Sequence, residues 1–261
     1  MMFIRKPAVA GFFYPADPKV LGDQIDSYLQ AVSQPLPPPK ALIGPHAGTV
    51  YSGPVAATAY KSLVSVRERI KRIILLGPAH RVGFEGLAVS QADFFETPLG
   101  KIPVDKKSLD KVMKLPQVHP LDEAHREEHS LELHLPFLQK VLGDFTLVPL
   151  LVGIAEPQDV AQVLEKLWGG TETLIIISSD LSHYLPYETA KKMDQKTAKK
   201  IENLRWQELE ERDACGFFPV RGFLLAAQGH HMKGKIVDLR NSGDTVGHKE
   251  RVVGYGSFLF R

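Results

Sequence analysis

The sequence is poor in cysteine and has no excess of one charge. Its 261 residues include a single Cys, which excludes an internal disulfide framework and favours a reducing compartment. The 32 Lys and Arg residues nearly balance the 30 Asp and Glu residues, so nucleic acid is not an expected partner. No apolar run approaches the roughly 20 residues that span a bilayer, and Arg5, Lys6 and Pro7 interrupt the clean apolar segment of a signal peptide. We therefore expect a cytoplasmic protein with no membrane partner.

Short apolar runs alternate with segments of helical periodicity, and no long linker separates them. The length and the 44% hydrophobic content allow a large core, so residues 1–261 are predicted to form a single domain. The predicted strands are 41–43, 72–76, 87–90, 145–152, 174–177, 235–240 and 251–260. The predicted helices are 18–32, 52–69, 127–142, 157–167, 187–204 and 220–231. Strands that alternate with helices predict an α/β/α sandwich around a mostly parallel sheet.

Polar side chains follow three of the predicted strands at the point where each strand ends. His46 follows the first of these strands, His80 the second, and Asp180 and His183 the third. Ligands of open α/β sheets bind outside the carboxyl ends of the strands. We therefore expect these four side chains at one edge of the sheet.

Two histidines with a third donor can form a facial metal site with open positions, which suits redox-active iron. The candidates for the third donor are Asp180, Cys215 and a residue of the segment rich in His and Glu at 124–134. Cys215 precedes a predicted helix, whose N-terminal potential would stabilise a thiolate. The alternative is structural: hydrogen-bonded loop histidines and a small buried cysteine.

The segment 124–134 contains a second metal-like pattern. His125, Glu128 and His129 match the inverted zinc-protease motif, in which two His residues one helical turn apart hold the metal. The pattern is short and its surroundings are rich in His and Glu, so a chance match is the favoured interpretation. A supporting role beside the strand-end site is the better prediction for His129.

Several motifs together resemble the Memo family, in the family's order and over essentially the whole chain. They are RKPAVAGFFYP at 5–15, PHAG at 45–48, YSG at 51–53, GPAH at 77–80, EHSLELHLPF at 128–137, SSDLSHY at 178–184 and CG at 215–216. The family is similar to the catalytic subunit of class III extradiol dioxygenases. This resemblance implies an α/β/α sandwich with a metal pocket.

The resemblance also implies roles for individual residues. His46, His80 and Cys215 would be the metal ligands, and Asp180, His183 and His129 would line the pocket as candidate catalytic residues. The dioxygenases use two His and a carboxylate on iron, whereas here a thiolate takes the third place. A thiolate binds iron or copper well but is itself oxidisable, so the pocket is expected to differ in chemistry from ring cleavage.

The resemblance leaves more than one function open. The first hypothesis is an iron- or copper-dependent oxidoreductase, dioxygenase-like, that acts on a small aromatic molecule. The alternatives are a module that binds a phosphotyrosine-type peptide or a partner protein, and a protein that delivers its metal. Prokaryotic members of the family share a gene set with a radical-SAM protein and an Amme-type domain protein, which are the implied partners.

Overall fold

Strands of β-branched and leucine side chains form the centre of the molecule. The structure is a computed structural model that describes residues 2–33 and 36–261. Its strands are β1 Ile4–Arg5, β2 Ala41–Gly44, β3 Arg72–Pro78, β4 Leu87–Val89, β5 Phe94–Thr97, β6 Gly100–Pro103, β7 Val118–Pro120, β8 Thr146–Val152, β9 Thr173–Ser178, β10 His183–Leu185, β11 Gly234–Asn241 and β12 Val252–Phe260. Its α-helices are α1 Pro18–Ala31, α2 Thr49–Lys61, α3 Lys106–Val112, α4 Asp122–Arg126, α5 His134–Val141, α6 Pro157–Leu167, α7 Tyr187–Glu202 and α8 Phe217–Gly229.

The large sheet is parallel at its centre and antiparallel at its flanks. Its strand order is β10-β12-β2-β9-β3-β8-β4-β7, and β11 pairs with β12. Strands β2, β9, β3 and β8 run parallel to their neighbours, whereas β12 and β4 join this centre in antiparallel pairs. A smaller sheet has the order β1-β5-β6. The central strands are buried on both faces, as expected where helices cover both sides of a sheet.

Helices flank the large sheet and bury its apolar side chains. Helices α1, α2 and α5 pack against one another, and α2 contacts β2. Helices α3, α6 and α8 form a second group, and α8 contacts β3 and β9. The alternation of side chains along β9 and the residue that follows directs Ser178 towards α5 and Ser179 towards the start of α8. The predicted α/β sandwich is confirmed.

Most predicted elements are present with small boundary differences, but the predicted helix 52–69 is shifted. It begins at Thr49 and ends at Lys61, and Pro54 lies inside it. Ser52 does not cap the helix, because its hydroxyl donates to the carbonyl of Ala47. The hairpin of β5 and β6 and the short helices α3 and α4 were not predicted. None of the helices within 2–33 and 36–261 is both long and apolar enough to cross a membrane.

Candidate metal centre

Three neighbouring strands deliver polar side chains to one cavity. Because β9 lies between β2 and β3, their carboxyl ends place His46, Asp180 and His80 side by side. Cys215 reaches the same place from the segment before α8. The ligand atoms of His46, His80 and Cys215 all lie within 4.8 Å of one another. The structure thus brings together the three residues that the resemblance implied as metal ligands.

His46 is buried and directs one ring nitrogen towards the cysteine. Its Nε2 lies 3.3 Å from Cys215 Sγ, and its Nδ1 lies 2.6 Å from Ser178 Oγ. Burial lowers the pKa of His46 well below its usual range, and the neighbouring His80 and His129 add to this effect. The imidazole is therefore neutral, the state in which a histidine binds metal.

His80 is oriented by a buried carboxylate that the sequence analysis did not assign to it. Glu128 accepts from the backbone N–H of His80 at 2.5 Å and from its Nδ1 at 2.9 Å. Burial favours the neutral form of Glu128, but hydrogen bonds from His80 and Ser130 outweigh it and lower the pKa to about 2. Since the carboxylate only accepts, Nδ1 carries a proton, and in the neutral form of the ring Nε2 keeps its lone pair. This carboxylate–histidine arrangement is typical of metal sites.

A second group of donor atoms consists of His80, Glu128 and His129, also within 4.8 Å of one another. The oxygens of Glu128 already accept from the backbone of His129 and Ser130, each at 2.9 Å, as well as from His80. A metal ion here would have to displace these charge-assisted bonds. The group with Cys215 is therefore the better candidate.

The match to the zinc-protease motif is a chance match, as expected from the sequence. His125 lies on α4, where its Nε2 approaches the carbonyl of Ala88 at 3.0 Å, and α4 ends at Arg126. Glu128 and His129 lie in the turns before α5, so no single helix presents both histidines. The predicted helix 127–142 is interrupted because the Glu128 side chain bonds to the backbone N–H groups that follow it, which competes with helical hydrogen bonding.

Cys215 lies two residues before α8, in a position that a glycine makes possible. A Cβ on Gly216 would meet the side chain of Ser179 at 2.6 Å, so only glycine lets this segment approach the end of β9 so closely. Cys215 Sγ accepts from the backbone N–H of Asp180 at 3.2 Å. Burial and the nearby Asp180 raise the pKa of the thiol. The expected stabilisation of a thiolate by the helix is therefore wrong for the metal-free site.

Asp180 and His183 also line the cavity. Asp180 is buried, and its Oδ1 accepts from the backbone N–H of His46 at 2.8 Å. Burial raises the pKa of Asp180 to about 6, although His183 and the bond from His46 favour its charged form. The Nδ1 of His183 donates to the carbonyl of Leu181 at 2.8 Å, which leaves Nε2 as an acceptor. A pKa of about 6 suits Asp180 to proton exchange near neutral pH.

His129 packs among the other rings of the site. Its ring centroid lies 4.8 Å from that of His80 and 5.4 Å from that of His46. Burial lowers the pKa of His129 to about 4, against the opposing charge of Glu128. Within the described residues, its buried Nδ1 has no hydrogen-bond partner. His129 thus contributes a neutral ring to the cavity, while its buried Nδ1 lies 3.3 Å from Glu128 Oε1.

The cavity in front of these groups has a volume of about 1000 Å³ and an apolar, aromatic mouth. Phe12, Tyr51 and Tyr184 line it with exposed rings, and Arg81 and Arg251 lie at its rim. Tyr184 adopts a φ of 59°, which is uncommon for a bulky residue, and its ring lies 5.1 Å from the Arg251 guanidinium carbon. The mouth of the cavity thus combines aromatic rings with guanidinium groups.

The comparisons with known proteins agree with the motifs. A family model described as "Memo-like protein" matches residues 5–259. A "MEMO1 family protein" of Aquifex aeolicus is 37% identical, over 99% of this chain and 100% of its own length. A second, of Sulfolobus acidocaldarius, is 36% identical, over 98% of this chain and 99% of its own length.

A solved structure supports the fold alone. The crystal structure of an uncharacterised protein, JW3007, from Escherichia coli K12 has a TM-score of 0.50 and 12% sequence identity. The alignment covers 83% of this chain and 98% of that one. The family assignment rests on the sequence matches, which extend over nearly the whole chain. The chain belongs to the Memo family.

Proposed function

We propose that this protein holds one redox-active transition metal, iron or copper, between His46, His80 and Cys215, and acts as an oxidoreductase on a small aromatic molecule. The observation that carries the proposal is the approach of three ligand atoms to within 4.8 Å at the base of an open cavity. Three protein ligands leave coordination positions free for small molecules.

The donor set fits such a metal. In the neutral form of His80, Nδ1 donates to Glu128 and Nε2 keeps its lone pair, and His46 Nε2 is directed at the sulfur. Two imidazole nitrogens and one thiolate bind copper and iron, whereas calcium and magnesium prefer oxygen ligands. Bound there, the metal would supply one-electron chemistry and Lewis acidity. The thiolate is oxidisable, so sustained reaction with dioxygen is disfavoured.

The remaining residues of the cavity bind and move protons. His183 Nε2 is an acceptor that would take a proton from a hydroxyl group of the substrate. Asp180, with a pKa of about 6, exchanges a proton at neutral pH while its Oδ1 fixes the backbone of His46. The rings of Phe12, Tyr51 and His129 would enclose a planar substrate and exclude water.

The proposal is tested by metal analysis of protein purified without added metal. We expect close to one equivalent of iron or copper in the wild type and a loss of most of it in His80→Ala. His119→Ala is the matched control, since His119 is exposed on β7 at the far edge of the sheet. Equal metal content in the wild type and His80→Ala would show that the proposed site is wrong.

Ring cleavage is tested separately with a panel of catechols under air. Because Cys215 replaces the carboxylate of the dioxygenases, we expect weak or absent cleavage by the iron-loaded protein. Turnover comparable to an extradiol dioxygenase would contradict the role that we give to the thiolate.

A binding module is the second candidate, favoured by the cationic rim. Arg81 and Arg251 are exposed and line the cavity beside its aromatic mouth. A phosphotyrosine-type peptide would place its ring in the mouth and its phosphate on these arginines. Binding of such a peptide by metal-free protein, lost in Arg81→Ala, supports the module, and absence of binding removes it.

Delivery of the metal is the third candidate and concerns the partners. A radical-SAM protein and an Amme-type domain protein are the proposed acceptors or co-workers of this chain. Transfer of bound iron or copper to either purified partner, without substrate turnover, would support delivery.

A further inference from the structure

Behind the candidate metal centre lies a row of buried polar side chains to which the proposed function gives no role. Tyr60 Oη lies 2.7 Å from His134 Nδ1, and His134 Nε2 lies 2.7 Å from Ser178 Oγ. Ser178 Oγ is in turn 2.6 Å from His46 Nδ1. Each of these side chains is at most 2% exposed, so bulk water does not compete for their hydrogen bonds.

The proton positions in this row follow from one carbonyl group. Ser178 Oγ also lies 2.6 Å from the backbone oxygen of Ser130, which can only accept. The single hydroxyl proton of Ser178 is therefore directed at Ser130. The two imidazoles approach the same oxygen, so both must donate to it. His46 then carries its proton on Nδ1, and His134 carries its proton on Nε2.

Tyr60 stabilises the Nε2–H tautomer of His134, which is the opposite of the Nδ1–H tautomer of His46. Burial lowers the pKa of His134 to about 3, so the ring is neutral and has one N–H group. With that proton on Nε2, the Nδ1 atom is an acceptor, and the Tyr60 hydroxyl donates to it. Every polar atom of the row is then satisfied, which gives a buried network a single low-energy arrangement.

The row is held on rigid elements. Tyr60 lies on α2, His134 begins α5, and Ser178 ends β9. The ring of Phe137 stacks on Tyr60 with a centroid distance of 5.2 Å and an interplanar angle of 13°. A network held on two helices and a central strand keeps its direction better than one held on loops.

We propose that Tyr60, His134 and Ser178 are positioning residues that hold His46 in the Nδ1–H tautomer and keep its Nε2 lone pair directed at the metal position. The inference rests on the proposed function for its link to metal affinity. The tautomer itself is a property of the metal-free protein and is independent of that function. The row thus orients His46 in the same way as Glu128 orients His80.

The first test is the tautomer of each histidine in metal-free protein. Long-range ¹H–¹⁵N correlation spectra of protein labelled at histidine separate the two tautomers, and His46→Gln and His134→Gln assign the signals. We expect an Nδ1–H ring for His46 and an Nε2–H ring for His134 in the wild type. An Nε2–H ring for His46 would overturn the inference. The tautomers are read from the wild-type spectrum, so this result does not depend on whether any metal binds.

The second test uses Co²⁺ as the probe of metal affinity. Ser178→Ala removes the acceptor of His46 Nδ1, and we expect Co²⁺ to bind about 10- to 100-fold more weakly, as for other residues that orient a ligand. Ser178→Thr keeps the hydroxyl and should recover most of the affinity. Ser62→Ala is the control: it also removes a buried hydroxyl, but at the end of α2. We expect no change in its affinity.

The role of Tyr60 is tested by Tyr60→Phe, which removes only the hydroxyl. We expect His134 to populate both tautomers in this variant, with a loss of Co²⁺ affinity smaller than that of Ser178→Ala. An unchanged His134 spectrum would remove Tyr60 from the row. Equal affinity of the wild type and folded Ser178→Ala would overturn the positioning role. If the wild type does not bind Co²⁺, the proposed function is overturned instead. The tautomers measured in metal-free protein would then still confirm or overturn this inference.

Discussion

Glu128→Gln is the substitution that best separates the orientation of His80 from the charge of the site. The carboxylate of Glu128 accepts four N–H donors: the backbone of His80, the ring of His80, and the backbones of His129 and Ser130. An amide keeps one acceptor oxygen. Since three of the donors converge on Oε1, the amide oxygen takes that position and the new NH₂ group faces the backbone N–H of His80.

The expected loss of stability in Glu128→Gln follows from this geometry. One charge-assisted bond is lost outright, which is worth about 1.5–3 kcal/mol, and the three others lose their charge assistance. We therefore expect the free energy of unfolding to fall by about 2–4 kcal/mol. The ring of His80 keeps a weaker acceptor at Nδ1, so metal affinity should fall about 10- to 100-fold.

Glu127→Gln is the matched control for this prediction. It removes the same charge one residue away, where the side chain is exposed and its nearest cation, Arg126, is 4.0 Å distant. Urea unfolding and Co²⁺ titration of both variants give the two quantities. We expect Glu127→Gln to match the wild type in both. If Glu128→Gln binds Co²⁺ within twofold of Glu127→Gln, the carboxylate does not orient His80 and the reasoning fails.

Two further predictions concern buried charge. Burial lowers the pKa of His125 to about 4 from a usual value near 6.5, so the unfolded chain gains a proton first as the pH falls. The contribution of this residue to stability is present above pH 6.5 and is lost towards pH 4. Between these values, the free energy of unfolding of the wild type, measured in urea, should fall by about 1.4 kcal/mol more per pH unit than that of His125→Phe. Parallel slopes for the two proteins would contradict this prediction. Glu132→Gln leaves the buried Arg5 guanidinium without its partner and should lower the free energy of unfolding by about 3–5 kcal/mol, whereas a loss below about 1 kcal/mol would contradict a dominant ion pair.

The centre of the fold was predictable because its strands are short and apolar on both faces. The strands that hold His46, His80 and Asp180 are bounded by Gly or Ser and read clearly from composition. Their parallel arrangement then implies that their carboxyl ends share an edge. The smaller sheet was harder to predict from the sequence. The hairpin of β5 and β6 has only partly apolar strands, and its pairing with β1 depends on contacts distant in sequence.

The residues that orient the ligands were missed because no local pattern marks them. Glu128 was read as part of a zinc motif, and Ser178 only as part of the SSDLSHY motif. Their roles appear only when the turns before α5 pack against the ends of β3 and β9. Glu128 accepts from the N–H groups of the two residues that follow it, and these local bonds form only where the turn is non-helical.

The position of Cys215 is consistent with the electrostatics around it. Its sulfur accepts the N–H of Asp180 and lies 3.7 Å from the carbonyl oxygen of the same residue, and Asp180 itself is a buried carboxyl group beside it. A carboxylate in place of the thiol would bring a second buried negative group against Asp180, and two such groups ionise together only at a large cost. A thiol is neutral without metal, makes a short contact with His46 Nε2, and becomes an anionic ligand only where a cation compensates it. A cysteine at this position, unlike a carboxylate, therefore adds no second buried negative charge beside Asp180 in the metal-free protein.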